Sequence, residues 1–210
     1  MKKNLPFIII IALILFLVTA YLSTVYSVRV LEKNILETIP GFRFPILDSI
    51  MRFISSFGDG INAIITFAVF ALALFIRGFK KEMTISFLIW IGPVLSWGLK
   101  EIIARPRPVE FMIDGHPLPS DFSFPSGHVV FYVVFFGLVA LYAKYLPDLT
   151  GIGRKILLTM SVVLISLIGI SRIYLGVHWP MDVMAGYLLG FAILGAVTLL
   201  YLKSGAVQKE

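Results

Sequence analysis

The sequence predicts an all-α integral membrane protein with six membrane-spanning helices and short amphipathic interfacial helices between the first and second. Two observations carry that expectation. Hydrophobic residues make up 59% of the 210 and mean hydropathy is +0.95, whereas soluble domains sit nearer roughly 45–50% apolar. These residues also fall into separate runs of bilayer-crossing length. The formal net charge is +6, but the basic residues are scattered between apolar runs. That pattern fits membrane topology, and no nucleic-acid partner is expected. The chain has no cysteine, which excludes disulfides, thiolate chemistry and Cys-ligated metals.

Taken in order, Lys2 and Lys3 precede an apolar run, Leu5–Leu22, long enough to cross a hydrocarbon core of ~30 Å. The run exceeds a signal-peptide h-region and no A-x-A site follows, so it is expected to remain as the first membrane helix. Residues 28–60 are mixed. Val28, Leu31, Ile35 and Ile39 recur at helical spacing, as do Ile46, Leu47, Ile50, Met51, Ile54 and Phe57. Pro40-Gly41 separates the two sets and Pro45 suits a helix start. The expectation is a packed extracytoplasmic connector with an apolar face; the alternative is a pair of interfacial helices shaping a lateral doorway for lipid.

The later spans are expected at 61–76, at 83–104 with a kink at Pro93, at 126–145, at 155–173 and at 180–202. Gly186, Gly190 and Gly195 in the last one allow close helix packing. A polar, proline-rich loop fills residues 105–125. Residues 1–210 are expected to form a single membrane domain.

Six spans place both termini on one side. Lys2, Lys3, Arg77, Lys80, Lys81, Lys144, Arg154, Lys155, Lys203 and Lys209 then share a face whose loops hold few acids, Glu82 and Asp148. The positive-inside rule makes that face cytoplasmic. Arg29, Lys33, Arg43 and Arg52 lie opposite. The expected location is the plasma (inner) membrane, with three polar segments gathered on the extracytoplasmic face.

Those segments carry the chemistry, because ionisable groups at a membrane boundary are costly and mark function. In the first, Lys100 and Arg107 stand about two helical turns apart, with Pro106 and Pro108 preventing the helix from continuing regularly, so that Arg107 is expected just past its end. Two cations so close repel unless an anion lies between them; alone, they would pass as snorkelling interfacial residues. Glu101 and Arg105 are spaced as an ordinary i, i+4 helix pair. The second segment, Pro125-Ser126-Gly127-His128, opens a helix. A helix N-terminus offers free N–H groups and partial positive charge to a phosphate. Ser126 is placed to cap it, Gly127 to admit a ligand closely and His128 to reach the same anion. In the third, Arg172 ends one span while His178 and Asp182 flank the start of the next. Asp182 is placed to accept from one ring nitrogen of His178 and leave the other free to attack. The set suits phosphoryl transfer without metal; it lacks the clustered carboxylates or His spacing of a metal site.

Lys100-x6-Arg107-Pro108, Pro125-Ser126-Gly127-His128 and Ser171-Arg172-x5-His178-x3-Asp182 together resemble the three-part signature of type 2 phosphatidic acid phosphatases. The resemblance covers about residues 60–203 and leaves 28–60 undiagnosed. It implies that His178 is the nucleophile, that Asp182 holds it, and that His128 protonates the leaving oxygen and then activates water. Lys100, Arg107, Ser126, Gly127 and Arg172 would bind the phosphate, with no metal or cofactor. The implied substrate is a membrane lipid phosphate or diphosphate, of polyprenyl, phosphatidic acid or phosphatidylglycerophosphate type; no protein partner is implied. A lipid phosphotransferase would use the same site. A transporter would need charges at mid-bilayer on interrupted helices, whereas here they gather at helix ends. His116 is expected to be a loop residue without function, and Glu110, Asp114 and Asp121 are candidates for influencing substrate choice.

Overall fold

In lipid a helix satisfies every backbone N–H and C=O from within, which is why the apolar runs fold as helices. The structure, a computed structural model, describes residues 3–117, 119–146, 149 and 151–204. Lys2, Asp148 and Lys209, used above for topology, lie outside the described residues. Among the described residues the regular structure is helical throughout: α1 Leu5–Leu22, α2 Tyr26–Thr38, α3 Pro45–Ser56, α4 Gly60–Ile76, α5 Lys80–Ser86, α6 Ile91–Ile103, α7 Gly127–Tyr145, α8 Gly151–Tyr174 and α9 Pro180–Lys203.

Five spans are long and apolar enough by themselves: α1, the Lys80–Ile103 unit of α5 and α6, α7, α8 and α9. A sixth is counted only when α3 and α4, which bend by 60° at the break between them, are taken together as one span. The expected irregularity at Pro93 is present as a tight 3-10 turn, Phe87–Trp90, between α5 and α6. Proline at 93 removes the N–H that would pair with the Ile89 carbonyl, and the helix tightens just before it.

Most side chains of α7 are buried. α8, α9 and α6 pack around it, and α1 lies along α9. Glycines set these distances as expected: a Cβ at Gly186 would come within 2.9 Å of the Ser126 carbonyl oxygen, and one at Gly190 within 2.8 Å of Val133. Gly195 faces Ile9 of α1 instead. Outward, Phe7, Leu17, Ile61 and Ile76 are exposed and apolar, as lipid-facing positions are.

The connector splits into two behaviours. α3 packs as expected on α8: Met51 and Ile54 cluster with Tyr174, Leu175 and Val177. Ser171 donates to the Met51 carbonyl at 2.7 Å and the Tyr174 hydroxyl to Asp48 Oδ1 at 2.5 Å. α2 does the opposite of a packed apolar face. Leu31 and Ile35 stay exposed while Glu32 and Leu36 are buried. An interfacial helix has lipid on one side, so its apolar stripe need not face protein, and here the acidic side turns inward.

Between α8 and α9 the chain turns at Gly176, which has φ +70° and whose added Cβ would fall 2.0 Å from the Phe111 carbonyl oxygen. Both facts demand glycine there. Gly176→Ala should therefore lower the thermal midpoint in detergent, at a cost of about 1–3 kcal/mol. Gly137→Ala should cost less, because its methyl meets the movable end of the Leu194 side chain, and Gly98→Ala, on open space, should be neutral or stabilising. Equal shifts in all three would contradict the turn's role.

Candidate active site

α6 stops at Ile103 because Ala104 takes a left-handed conformation, φ 48°. Lys100 is thus in its last turn and buried, while Arg105 and Arg107 lie beyond the helix. This overturns the expected Glu101–Arg105 pair: past Ala104 the i, i+4 geometry no longer exists. Arg105 instead turns inward and pairs with Glu32 of α2 and, at 2.6 Å, with Asp182 Oδ1. Ser123 donates both its N–H (2.8 Å) and its hydroxyl (3.1 Å) to the Arg105 carbonyl, tying the loop down beside it.

The anion demanded between Lys100 and Arg107 is present, and it is a side chain of the loop itself. Asp121 accepts from Lys100 Nζ through Oδ2 and from Arg107 through Oδ1 at 2.6 Å. Lys100 and Arg107 are buried while Asp121 is 39% exposed. Burial raises the Asp121 pKa, but the bonds and charges of Lys100 and Arg107 outweigh it and hold the carboxyl below its usual range. The Arg107 guanidinium also donates to the Val177 carbonyl at 2.8 Å and reaches His178 Nε2 at 3.3 Å. A guanidinium only donates, so this nitrogen of His178 presents its lone pair and the proton sits on Nδ1. Nδ1 faces Asp182 Oδ2 at 3.5 Å, short of a closed hydrogen bond. The His178 ring is buried, and its pKa lies well below 6.5 because of that burial and the positive charge of Arg107, Arg172 and Lys100.

Asp182 itself is fully buried. It sits in the first turn of α9, where Oδ2 accepts the Trp179 N–H at 2.9 Å. Its own carbonyl accepts the Ser126 N–H at 3.0 Å, joining the starts of α9 and α7. Ser126 is the residue before α7 as expected, but its hydroxyl makes no capping bond; it is buried without a partner. The backbone bond to Asp182 orients it differently from a simple cap.

His128 follows in the first turn of α7, and its Nε2 lies 2.7 Å from Asp59 Oδ1 at the corner between α3 and α4. A carboxylate accepts, so this nitrogen carries a proton. Arg172 is buried; among the described residues no carboxylate lies within ion-pair distance of it, one terminal nitrogen meets the Ser55 hydroxyl, and its Nε is unpartnered.

One cavity of about 620 Å³ gathers these groups. Lys100, Arg107, Gly127, His128, Arg172 and His178 line it together with the acids Asp59 and Asp121; Ser126 and Asp182 are buried and not part of its lining. Ala63, Trp90, Pro93, Trp97 and Phe131 supply apolar lining to the same cavity. His116 also lines the cavity, so the loop histidine set aside above is part of the site's surroundings; burial and then the charges of Arg172 and Arg52 depress its pKa. Sequence reasoning missed Glu32, Ser55, Asp59 and Arg105. None has a local signal: three come from the undiagnosed connector, and Arg105 was assigned to its helical neighbour.

Comparison with known proteins gives the family and the fold. The sequence model of the PAP2 superfamily matches residues 81–206. An undecaprenyl-diphosphatase of Sulfolobus acidocaldarius is 34% identical over 150 residues, 69% of this chain and 66% of that protein. Phosphatidylglycerophosphatase B of Bacillus subtilis is 30% identical over 182 residues, 85% of this chain and 87% of that protein. Among solved structures, the transmembrane PAP2-type phosphatidylglycerolphosphate phosphatase from Bacillus subtilis superposes with a TM-score of 0.83 at 27% identity, covering 93% of this chain and 96% of that one. Aquifex aeolicus LpxE gives 0.58 at 28% identity over 80% of this chain and 94% of that one. The match extends from the motif-bearing helices to nearly the whole fold, and the chain belongs to the PAP2 superfamily as a multi-pass membrane protein of its lipid phosphatase branch.

Proposed function

We propose that the chain hydrolyses a membrane lipid phosphate or diphosphate through a phosphohistidine on His178, at the outer face of the membrane, without a metal. The observation that carries this reading is the placement of two histidines on one cavity: His178 Nε2 presents its lone pair beside the Arg107 guanidinium, while His128 Nε2 pairs with the Asp59 carboxylate, a partner that stabilises an imidazolium. A nucleophile and an acid are what the two ends of a transferring phosphoryl group require.

Lys100, Arg107 and Arg172 neutralise the phosphate oxygens, with the Gly127 amide at the start of α7. His178 Nε2 attacks phosphorus and the bond from phosphorus to the leaving oxygen breaks. That oxygen is the lipid alkoxide of a monophosphate or the bridging oxygen kept by the lipid phosphate of a diphosphate. His128, acting as an imidazolium paired with Asp59, gives it a proton and is left neutral. Water then attacks the phosphohistidine, giving its proton to His128 and releasing inorganic phosphate with His178 restored. The apolar side chains in the cavity lining suit the lipid chain. The relatives' names include an undecaprenyl-diphosphatase and a phosphatidylglycerophosphatase, and we favour a polyprenyl diphosphate or a broad lipid range. The positive-inside pattern supports cytoplasmic termini and an outward-facing site.

Phosphate release from lipid substrates in detergent with EDTA present is the expected activity; no release from polyprenyl diphosphate, phosphatidic acid or phosphatidylglycerophosphate by folded protein would sink the reading. His178→Ala should abolish release and leave the fold intact. His128→Ala should slow release about 10²–10⁴-fold for alkoxide leaving groups and less for p-nitrophenolate; equal losses would contradict an acid role. The acid limb of kcat/KM, corrected for substrate ionisation, should lie below pH 6.5, since protonating His178 would add a cation among three; a limb due to this residue above 6.5 would refute the electrostatic picture. Asp121→Asn, by freeing Lys100 and Arg107, should tighten inhibition by orthovanadate. Weaker inhibition would show that Asp121 does not compete for the anion position.

A further inference from the structure

Asp182 is held by more than its own helix. Glu32, Arg105 and Asp182 form a charged row that is 2%, 4% and 0% exposed, deep enough that an incomplete set would be strongly unfavourable. The Arg105 guanidinium is shared: one terminal nitrogen lies 2.6 Å from Asp182 Oδ1 and 3.4 Å from Glu32 Oε1, and the other meets Glu32 Oε2. Glu32 Oε1 also accepts the Met181 N–H at 2.8 Å. Glu32 therefore grips both the cation that touches Asp182 and the backbone immediately before it. Asp182 in turn faces Nδ1 of His178.

We propose that Glu32 is a positioning residue for the phosphoryl-transfer step, acting through Arg105 and Asp182 on His178; the proposal rests on the phosphohistidine reading above. When His178 Nε2 bonds to phosphorus, Nδ1 keeps its proton and the ring becomes cationic, so the carboxylate of Asp182 opposite Nδ1 stabilises it. Arg105 alone would cancel that carboxylate. Glu32 supplies the second negative charge, so the row keeps a net charge of −1 for the ring. Glu32 lies outside residues 81–206, the part matched by the superfamily model, which makes α2 a contributor to the chemistry and not just a linker.

The test is Glu32→Gln, which keeps shape and removes charge, in single-turnover measurements of phosphoenzyme formation with a lipid phosphate in detergent. Formation should slow roughly 10- to 100-fold, the range seen when a group that orients a metal-bound histidine is removed, with KM nearly unchanged. In an Asp182→Asn background the same substitution should add no further loss, because both act on one group. An unchanged rate, a rise in KM alone, or losses that multiply would each overturn the proposal. If Glu32→Gln does not fold, Arg105→Lys, which keeps the charge but loses the fork, is judged by the same readouts; failure of both to fold would show a structural role and also overturn it. A His178→Ala enzyme that still forms phosphoenzyme would refute the hydrolysis mechanism itself. An inert His178→Ala beside a Glu32→Gln at full rate would refute this proposal alone.

Discussion

Positive charge held at one end of an apolar helix bundle, with too few anions of its own, is the constraint around which this protein is arranged. Lys100, Arg107 and Arg172 are buried or nearly so, and taking each such cation out of water costs on the order of several kcal/mol before any partner offsets it. Asp121 offsets part of the repulsion between the first two from a half-exposed position. Arg172 has a hydroxyl but no carboxylate among the described residues. Such a site is unfavourable when empty and relieved by an anion, which is the electrostatic logic of phosphate binding.

The helix starts supply the rest. α7 and α9 begin side by side, joined by the bond from the Ser126 N–H to the Asp182 carbonyl. Their first turns carry His128 and Asp182 respectively, while His178 immediately precedes the second. Close approach of the two helices at Gly186 and Gly190 fixes this alignment from within the bundle. Packing at the helix starts and one turn further in thus sets the spacing of the reactive groups, and each histidine faces a carboxylate: Asp59, from the earlier connector, for His128, and Asp182, four residues on, for His178.

The connector between α1 and α4 changes its meaning in this light. α3 is a packed element, but α2 presents its apolar stripe outward and its acid inward. For a helix in water that orientation would be backwards. At a membrane boundary the apolar stripe has lipid to meet, and the buried Glu32 has Arg105 and the Met181 N–H to satisfy it. Residues 28–60 therefore deliver Glu32, Ser55 and Asp59 to a site whose motifs all lie later in the chain.

The membrane class, the spans and the motif residues were legible from the chain alone, because hydropathy acts over contiguous windows and the motif residues sit at helix ends marked by proline and glycine. Lys100, Arg107, His128, Arg172 and His178 could be named before any coordinates, and so could the need for an anion between the first two. The identity of that anion as Asp121, the inward turn of Arg105 and the parts played by Glu32 and Asp59 emerged only on folding. Charges pair according to distance in space: Glu32 and Arg105 are 73 positions apart. A local rule assigned Arg105 to Glu101, four residues away. One left-handed residue, Ala104, was enough to break that rule and send the guanidinium across the bundle.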